Sequence, residues 1–267
     1  MRILHFSDPH AGGPAESLRA YFDKRIIGVF NYHFRRRFKF KLEKLEKLVE
    51  WAVAHPVDVV VCTGDLTSTG QPGEFSRIRG LLAPLVESGV PILYTPGNHD
   101  CYVKRSECVG AVNDMVEYLS RGSYKLADMP FVRNIGDCDF IMLNTSFPSN
   151  ILCSWGRVRK ADLTKVSDMC AEPKRRQRIL VNHFPLVEEH PWLRLRHRML
   201  GQKSLWKLVA NGSIDLSLAG HVHRPQLRVD GAGHGECVSG SISANSQAIL
   251  ITSEPLEGRF RFEPLTF

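Results

Sequence analysis

Short apolar runs alternate along the chain with stretches whose apolar residues are spaced as on one face of a helix. A short apolar run indicates a buried strand, and the helical spacing indicates an amphipathic helix. Strands are predicted at residues 2–6, 57–62, 90–94, 131–135, 140–144, 179–181 and 214–218. Helices are predicted at residues 40–54, 74–88, 106–119, 161–170 and 204–210. Pro84 is expected to kink or interrupt the second helix, because proline cannot donate a helical hydrogen bond.

The order of these elements predicts the fold class. Strands and helices alternate over most of the chain, and the last part contains only strand-like runs, at residues 227–229, 236–241, 248–252 and 259–262. This order predicts an α/β protein in which two packed sheets lie between outer helices. Neither an internal repeat nor a long linker divides the chain, so one domain is predicted over residues 1–267.

Composition narrows the class of protein. The apolar fraction of 43% is ordinary for a globular protein, and no apolar run is long enough to span a bilayer. The amino terminus becomes polar too early for a signal peptide, which predicts a cytoplasmic protein. The seven cysteines are odd in number and include no CxxC pair, so neither a disulfide framework nor a zinc ribbon is expected.

Polar side chains that can bind metal follow five of the predicted strands. Ligands bind at the carboxyl ends of strands in open α/β sheets, so these side chains are expected to meet. They are Asp8 and His10, Asp65, Asn98 and His99, His183, and His221 and His223. Pro9 biases Asp8 towards an extended backbone, in which residues two apart point to the same side. Asp8 with His10, and His221 with His223, can therefore each present two ligands on one side.

The donor types indicate transition-metal ions. Carboxylate oxygens and imidazole nitrogens suit Mn, Fe, Zn or Co, and the lack of cysteine in the set disfavours a structural zinc site. The candidate ligands are Asp8, His10, Asp65, Asn98, His183, His221 and His223. This set is larger than one ion needs. It suits two divalent ions about 4 Å apart that share a bridging carboxylate, as used for in-line displacement at phosphorus.

The same motifs, in this order, resemble those of the calcineurin-like metallophosphoesterase family. The matching residues are Asp8-Pro9-His10, Gly64-Asp65, Gly97-Asn98-His99-Asp100, His183 and Gly220-His221-Val222-His223. The resemblance runs from the first strand to past residue 223. It implies a four-layer α/β/β/α sandwich, in which helices flank two central mixed β-sheets.

The resemblance also implies roles for the matched residues. Asp8, His10 and His223 would hold one ion, Asn98, His183 and His221 would hold the second, and Asp65 would bridge them. A hydroxide between the ions would attack phosphorus in line. His99 would not bind metal. It would stand near the leaving oxygen as a general acid, or as a donor that stabilises charge in the transition state.

Four further residues are candidates for contacting substrate. Arg224 directly follows the last ligand, and Arg194 and Arg196 lie in a basic, partly apolar stretch between the last two ligand-bearing strands. Arginine suits a phosphate group, and a solvated surface position is the alternative for each of the three. Asp100 is expected either to orient a ligand or to cap the helix that follows it.

Residues 18–40, hereafter the insertion, are both aromatic and basic. Residues 24–47 contain nine Lys or Arg and two acids. The excess of seven positive charges equals the formal net charge of the whole chain, +7. Such a patch suggests an anionic partner. Three interpretations stay open: a loop packed on the body with its arginines in solvent, a wall of the substrate pocket, or a contact with an anionic membrane. The last two are compatible.

The resemblance implies the reaction but not the substrate. The insertion leads to the hypothesis of a phosphodiester or pyrophosphate hydrolase for a small anionic, lipid-linked substrate of the UDP-diacylglucosamine type, acting near a membrane. The best-known branch of those hydrolases has Arg where this chain has His99. The alternative is a soluble cyclic-nucleotide or general phosphodiesterase, and a non-catalytic scaffold of the same fold is the third. Two divalent ions, Mn first among them, are the expected cofactors; neither nucleic acid nor a protein partner is expected.

Overall fold

The computed structural model describes residues 1–148, 154–187 and 198–267. Its strands form two large sheets and one short pair. The strands are β1 (Arg2–Phe6), β2 (Val59–Cys62), β3 (Ile92–Tyr94), β4 (Phe131–Ile135), β5 (Cys138–Met142), β6 (Gly156–Arg157), β7 (Gln177–Val181), β8 (Met199–Leu200), β9 (Leu216–Ala219), β10 (Gln226–Val229), β11 (Gly235–Val238), β12 (Gln247–Glu254) and β13 (Arg259–Thr266). All but the paired β6 and β8 belong to the two large sheets.

The first sheet has the strand order β13-β12-β1-β2-β3. β1, β2 and β3 are parallel, with Ile3 opposite Val59 and Val60 opposite Ile92. Because they are parallel, their carboxyl ends reach the same edge of the sheet, where the first three metal-binding motifs begin. β12 and β13 extend the other side of β1 as antiparallel strands.

The second sheet has the order β10-β11-β9-β7-β5-β4. β5, β7, β9 and β11 are parallel, and β4 and β10 add antiparallel edges. β4 and β5 form a hairpin, with Ile135 opposite Cys138. The motifs that contain His183 and His221 follow the parallel strands β7 and β9.

The five longest helices cover the outer faces of the two sheets, and the structure describes eight α-helices in all. They are α1 (Arg25–Asn31), α2 (Arg37–Lys39), α3 (Glu43–Ala54), α4 (Pro72–Glu87), α5 (Ser106–Leu119), α6 (Lys160–Ala171), α7 (Gln202–Ala210) and α8 (Ile242–Asn245). Side chains of β5 alternate between two cores, as the period of a strand requires. Phe140 lies in the core shared with the first sheet, whereas Ile141 packs with Val166 of α6 and Leu205 of α7. The predicted four-layer sandwich with two mixed sheets is confirmed.

The second predicted helix is not interrupted at Pro84, and one arginine of a basic run is buried. α4 runs through Pro84 without interruption. Pro84 and Gly80, four residues before it, are both exposed, so the carbonyl that proline leaves unpaired can bond to water. The basic run at residues 174–178 ends inside β7, where Arg178 is only 3% exposed. Its guanidinium donates to the carbonyls of Cys170 and Ser213, which offsets the cost of burying the charge.

The insertion is mostly helical rather than an irregular loop. A short 3₁₀ turn, Leu18–Tyr21, precedes α1, and a π-helical turn, Tyr32–Arg36, joins α1 directly to α2. Among the helices that the structure describes, none is long and apolar enough to cross a bilayer.

Candidate metal centre

The first cluster of ligand atoms lies where the loop after β1 meets the loop after β9. His10 Nε2 is 3.4 Å from Asp8 Oδ1 and 3.6 Å from Asp65 Oδ2. His223 Nε2 is 2.8 Å from His10 Nε2 and 3.2 Å from Asp8 Oδ1. The four residues bring one ligand atom each to within 4.8 Å of one another. His223 is the most accessible of them, with 27% of its side chain exposed.

The second cluster consists of Asp65, His183 and His221, again with ligand atoms within 4.8 Å of one another. His183 Nε2 is 3.5 Å from Asp65 Oδ2 and 3.2 Å from Asn98 Oδ1. Asn98 therefore adds an amide oxygen to this group. Asp65 belongs to both clusters, which is the position that a bridging carboxylate requires.

The hydrogen bonds around the clusters indicate that they suit cations. A carbonyl oxygen can only accept, so Nδ1 donates from His10 to Thr67 O at 3.2 Å and from His183 to Thr63 O at 2.6 Å. In the neutral ring, Nε2 then presents a lone pair to carboxylate and amide oxygens. Asp8 Oδ1 is also buried without a hydrogen-bond donor among the described residues. Several lone pairs that face one another need a positive charge between them, and divalent ions fit this donor set.

Burial and mutual charge shift the pKa values in the clusters. Burial alone would raise the pKa of Asp65, but the charge of His183 and the other imidazoles holds it far below its usual value. Burial lowers the pKa of His10 to about 4, despite the opposing effect of Asp8. Burial alone would lower the pKa of His183, but the charges of Asp65 and Asp8 and the hydrogen bonds to Asp65 and Thr63 together raise it to about 9. A proton therefore competes with a metal ion for His183 Nε2, because metal binding requires the neutral imidazole.

Left-handed backbone conformations are concentrated in this site. Seven non-glycine residues in the described part of the chain have positive φ, and five of them are candidate ligands: Asp8 (56°), His10 (50°), Asp65 (54°), His221 (71°) and His223 (58°). The expectation of an extended Asp8 is wrong. Each pair does point to one place, but through left-handed turns rather than through the alternation of a strand. Such conformations are costly for residues with a side chain, and they are typical of functional sites.

Two motif glycines are required by close approach to a ligand. A Cβ atom on Gly97 would lie 2.1 Å from Asp65 Oδ1, and one on Gly220 would lie 2.6 Å from Asp8 Oδ2. The backbone N–H of His221 then donates to that Asp8 oxygen at 2.9 Å. The glycines that precede Asn98 and His221 in the sequence thus allow one ligand loop to pack against the carboxylate of another.

Asp100 lies behind the ligands. It is buried and accepts hydrogen bonds from the backbone N–H groups of Leu66, Thr67 and Gly97 and from the hydroxyl of Tyr94. It therefore ties the loop after Asp65 to the loop before Asn98. Because the protein already occupies both carboxylate oxygens, this position does not support the predicted contact with substrate. It agrees instead with the expectation that Asp100 orients neighbouring ligands.

His99 lies beside the first cluster and contacts the insertion. Its ring centroid is 4.8 Å from that of His10, and its backbone N–H donates to Asp65 Oδ1 at 2.7 Å. Its Nδ1 donates to the carbonyl of Ser68 at 2.7 Å, which leaves Nε2 to accept from a guanidinium nitrogen of Arg36 at 3.2 Å. Sequence reasoning did not assign Arg36 to the site. The only signal was the density of positive charge in the insertion.

The structure describes one of the three arginines that were predicted to contact substrate. Arg224 follows His223 and is exposed. Arg194 and Arg196 lie outside the residues that the structure describes. Phe40, at the end of the insertion, was not predicted in the site, yet its ring centroid is 4.9 Å from that of His10 and 5.7 Å from that of His223.

Comparison with known proteins identifies relatives of this chain. A cAMP/cGMP dual specificity phosphodiesterase of Mycobacterium tuberculosis is 26% identical over 222 residues, which is 83% of this chain and 61% of that protein. A 3',5'-cyclic-nucleotide phosphodiesterase of Nostoc is 25% identical over 170 residues, which is 63% of this chain and 56% of that protein. The chain thus spans less than two thirds of the length of either relative.

Solved structures share the fold. A dimetal phosphatase from Danio rerio aligns with a TM-score of 0.62 at 12% identity, over 100% of this chain and 98% of its own. A purple acid phosphatase from yellow lupin aligns with a TM-score of 0.64 at 13% identity, over 100% of this chain and 51% of its own. The model of the Calcineurin-like phosphoesterase family matches residues 1–225. This chain therefore belongs to the calcineurin-like phosphoesterase family, as its motifs predicted.

Proposed function

We propose that this chain is a metal-dependent hydrolase of phosphodiester or pyrophosphate bonds. The observation that carries the proposal is the membership of Asp65 in two clusters of ligand atoms, each within 4.8 Å. A shared carboxylate between two divalent ions is the arrangement that suits displacement at phosphorus. Membership of a phosphoesterase family supports the same reaction class.

The proposed ligands divide between two ions. Asp8, His10 and His223 would hold one, Asn98, His183 and His221 would hold the other, and Asp65 would be shared by both. Mn is the first candidate, and Fe, Zn or Co suit the same donors. Once bound, two such ions supply Lewis-acid polarisation of the phosphoryl group and an acidified water. The chain's part is to keep the carboxylates ionised and to fix the imidazoles of His10 and His183 through their Nδ1 hydrogen bonds.

We assign the binding of the phosphoryl group to Arg36. Burial lowers the pKa of this guanidinium, yet among the described residues it pairs with no carboxylate within 4 Å. Within the described ranges the Arg36 guanidinium donates to His99, which leaves further N–H groups for a phosphate oxygen. His99 holds Arg36 by accepting its hydrogen bond. To act as the predicted general acid, His99 would need a proton on the Nε2 that Arg36 now faces.

Two substrate classes are supported by different observations. Small diesters such as cyclic nucleotides are favoured by the relatives from Mycobacterium tuberculosis and Nostoc, which are named as cyclic-nucleotide phosphodiesterases. A lipid-linked pyrophosphate of the UDP-diacylglucosamine type is favoured by the exposed apolar side chains of the insertion, next to the site. The first class has the support of sequence similarity, so it is the primary proposal.

A hydrolysis panel with added Mn²⁺ tests these proposals. The substrates are a phosphomonoester, bis-p-nitrophenyl phosphate, cyclic AMP, a nucleoside-diphosphate sugar and its diacylated form. Cleavage of the diester and cyclic AMP supports the primary proposal, and selective cleavage of the diacylated compound supports the second. Asp65→Asn is the control for contaminating hydrolases. Stoichiometric metal with no turnover of any compound would instead support a binding protein of this fold.

A further inference from the structure

The helical part of the insertion has an apolar face that points into solvent. Large apolar side chains recur every fourth residue along the insertion and are between 43% and 86% exposed: Leu18, Phe22, Ile26, Phe30, Phe34 and Phe38. The rings of Phe30 and Phe34 are in contact, with centroids 4.4 Å apart. Single exposed apolar residues need no explanation, but a continuous row of this kind marks an interaction surface. We call these six residues the apolar row.

The opposite side of the same segment packs against the protein. A Cβ atom on Gly28 would lie 2.1 Å from the side chain of Thr69, so the helix is closely seated there. Tyr32 lies against Gly12, Arg36 against His99 and Phe40 against His10. These inner residues also recur every fourth position. The outward direction of the apolar row is therefore set by packing of the inner side, and does not result from a loose segment.

The π-helical turn keeps both rows in line. A repeat of four residues drifts around an α-helix, which has 3.6 residues in each turn. A π-helical turn is wider, because its hydrogen bonds join residues five apart. The turn at Tyr32–Arg36 therefore counteracts the drift between Ile26 and Phe38. The apolar row stays on one face, and Arg36 stays on the face that reaches the metal centre.

Positive charge surrounds the apolar row. Within residues 18–40 there are seven Lys or Arg and one acid, Asp23. Asp23 is neutralised by Arg25, whose guanidinium lies 2.9 Å from its carboxylate. Exposed cations therefore have no acidic counterpart within the insertion: Arg19, Arg35, Arg37 and Lys39. Aromatic side chains on one face of a helix with basic residues beside them are typical of segments that lie in the interface of an anionic membrane.

We propose that the apolar row and its flanking cations dock this protein on an anionic phospholipid bilayer. The phenylalanine rings enter the interface between headgroups and acyl chains, and the exposed arginines and Lys39 pair with lipid phosphates. A second copy of the chain is a poorer occupant, because its own cations would face these cations. The docking requires no particular substrate, and it brings the helix that holds Arg36 to the membrane surface.

Vesicle sedimentation of the full-length chain tests this proposal. The double substitution Phe30→Ser/Phe34→Ser removes the two contacting rings, and Leu227→Ser/Leu256→Ser is the matched control, since these leucines are 50% and 84% exposed elsewhere. The wild type should bind vesicles of equal parts phosphatidylglycerol and phosphatidylcholine, and bind pure phosphatidylcholine at least about 10-fold more weakly. The affinity of the double variant for the anionic vesicles should be at least about 10-fold lower than that of the wild type, whereas the control should bind like the wild type.

Three results would overturn the docking surface. They are failure of the wild type to bind anionic vesicles, equal binding by the Phe30→Ser/Phe34→Ser variant, and a change of that variant from dimer to monomer without vesicles. The last would make the apolar row a self-association surface. Turnover of bis-p-nitrophenyl phosphate is measured in parallel, and it should be the same in both variants because Arg36 stays seated. Vesicle binding does not depend on turnover, so failure of the proposed hydrolysis is distinguished from failure of docking.

Discussion

Arg36→Ala is the substitution that best separates the insertion's part in chemistry from its other contacts. The change removes a guanidinium that lies 3.2 Å from His99 Nε2 and that faces the negative charge of Asp65 and Asp8. Arg37→Ala is a matched control, because Arg37 is the next residue along, is exposed, and lies over the ring of Phe38 at 4.6 Å. Both substitutions remove one positive charge from the same turn.

The expected loss follows from the hydrogen bonds that Arg36 offers to a phosphate. Hydrogen bonds to a charged group contribute roughly 1.5–3 kcal/mol. Since about 1.4 kcal/mol corresponds to a tenfold change in rate, kcat/KM should fall by about 10- to 150-fold in Arg36→Ala. Arg37→Ala should stay within about 2-fold of the wild type, because an exposed charge in water contributes little. Metal affinity should not fall in Arg36→Ala, since removal of a cation reduces repulsion of the ions.

The assay is kcat/KM for bis-p-nitrophenyl phosphate at saturating Mn²⁺, with metal content measured on the same samples. Arg36→Lys adds a second test, because lysine keeps the charge but lacks the planar fork of donors, so it should rescue only part of the loss. Equal losses in the Arg36 and Arg37 variants would refute the assignment, as would full activity in Arg36→Ala. A loss of bound metal in Arg36→Ala would indicate a structural effect instead.

Three further predictions concern the ligands and their support. Asp65→Asn should weaken retention of both ions by at least about 100-fold, measured as metal content after dialysis; retention of one full equivalent would contradict a bridging role. Asp100→Ala leaves several buried donors unpaired and should lower the unfolding free energy by at least about 3 kcal/mol in urea; a change under about 1 kcal/mol would refute its role in joining the loops. Burial raises the pKa of Glu74 from 4.5 to about 7. The folded state therefore keeps a proton that the unfolded state releases, and this contribution to stability is present below pH 4.5 and lost as the pH rises to about 7. As the pH rises from 4.5 to about 7, the unfolding free energy of Glu74→Gln should therefore increase relative to that of the wild type by on the order of 3 kcal/mol. A difference between the two proteins that does not change with pH would refute the shifted pKa.

Local sequence patterns were sufficient to predict most strands of the two large sheets and the helices that pack on them. Strands such as Arg2–Phe6 and helices such as Ser106–Leu119 begin and end as predicted, because hydrophobic periodicity and chain breakers act over a few residues. Local patterns did not indicate which side chains would be exposed and which would be buried. Pro84 is tolerated in α4 because its side of the helix is exposed, and Arg178 can be buried because the carbonyls of Cys170, Glu172 and Ser213 accept hydrogen bonds from its guanidinium. Neither property is visible in neighbouring residues.

The candidate ligands could also be found from sequence, but not the geometry that joins them. Strand ends identified Asp8, Asp65 and His183 because parallel strands bring their carboxyl ends to one edge. The left-handed backbone at His10 and His223, and their approach across 213 positions, depends on loops that only the folded sheets hold in place. The position of Asp100 behind the ligands has the same origin.

The sequence by itself identified the family and the candidate metal ligands of this protein, since residue types at strand ends are a local property. Tertiary structure decided which side chains of the insertion face the protein body and which face solvent. Its aromatic and basic composition was compatible with a surface loop, a pocket wall or a membrane contact, because composition does not specify which side of a helix packs. Seating of Gly28 and Tyr32 on the body turns Arg36 inward to His99 and the apolar row outward to solvent.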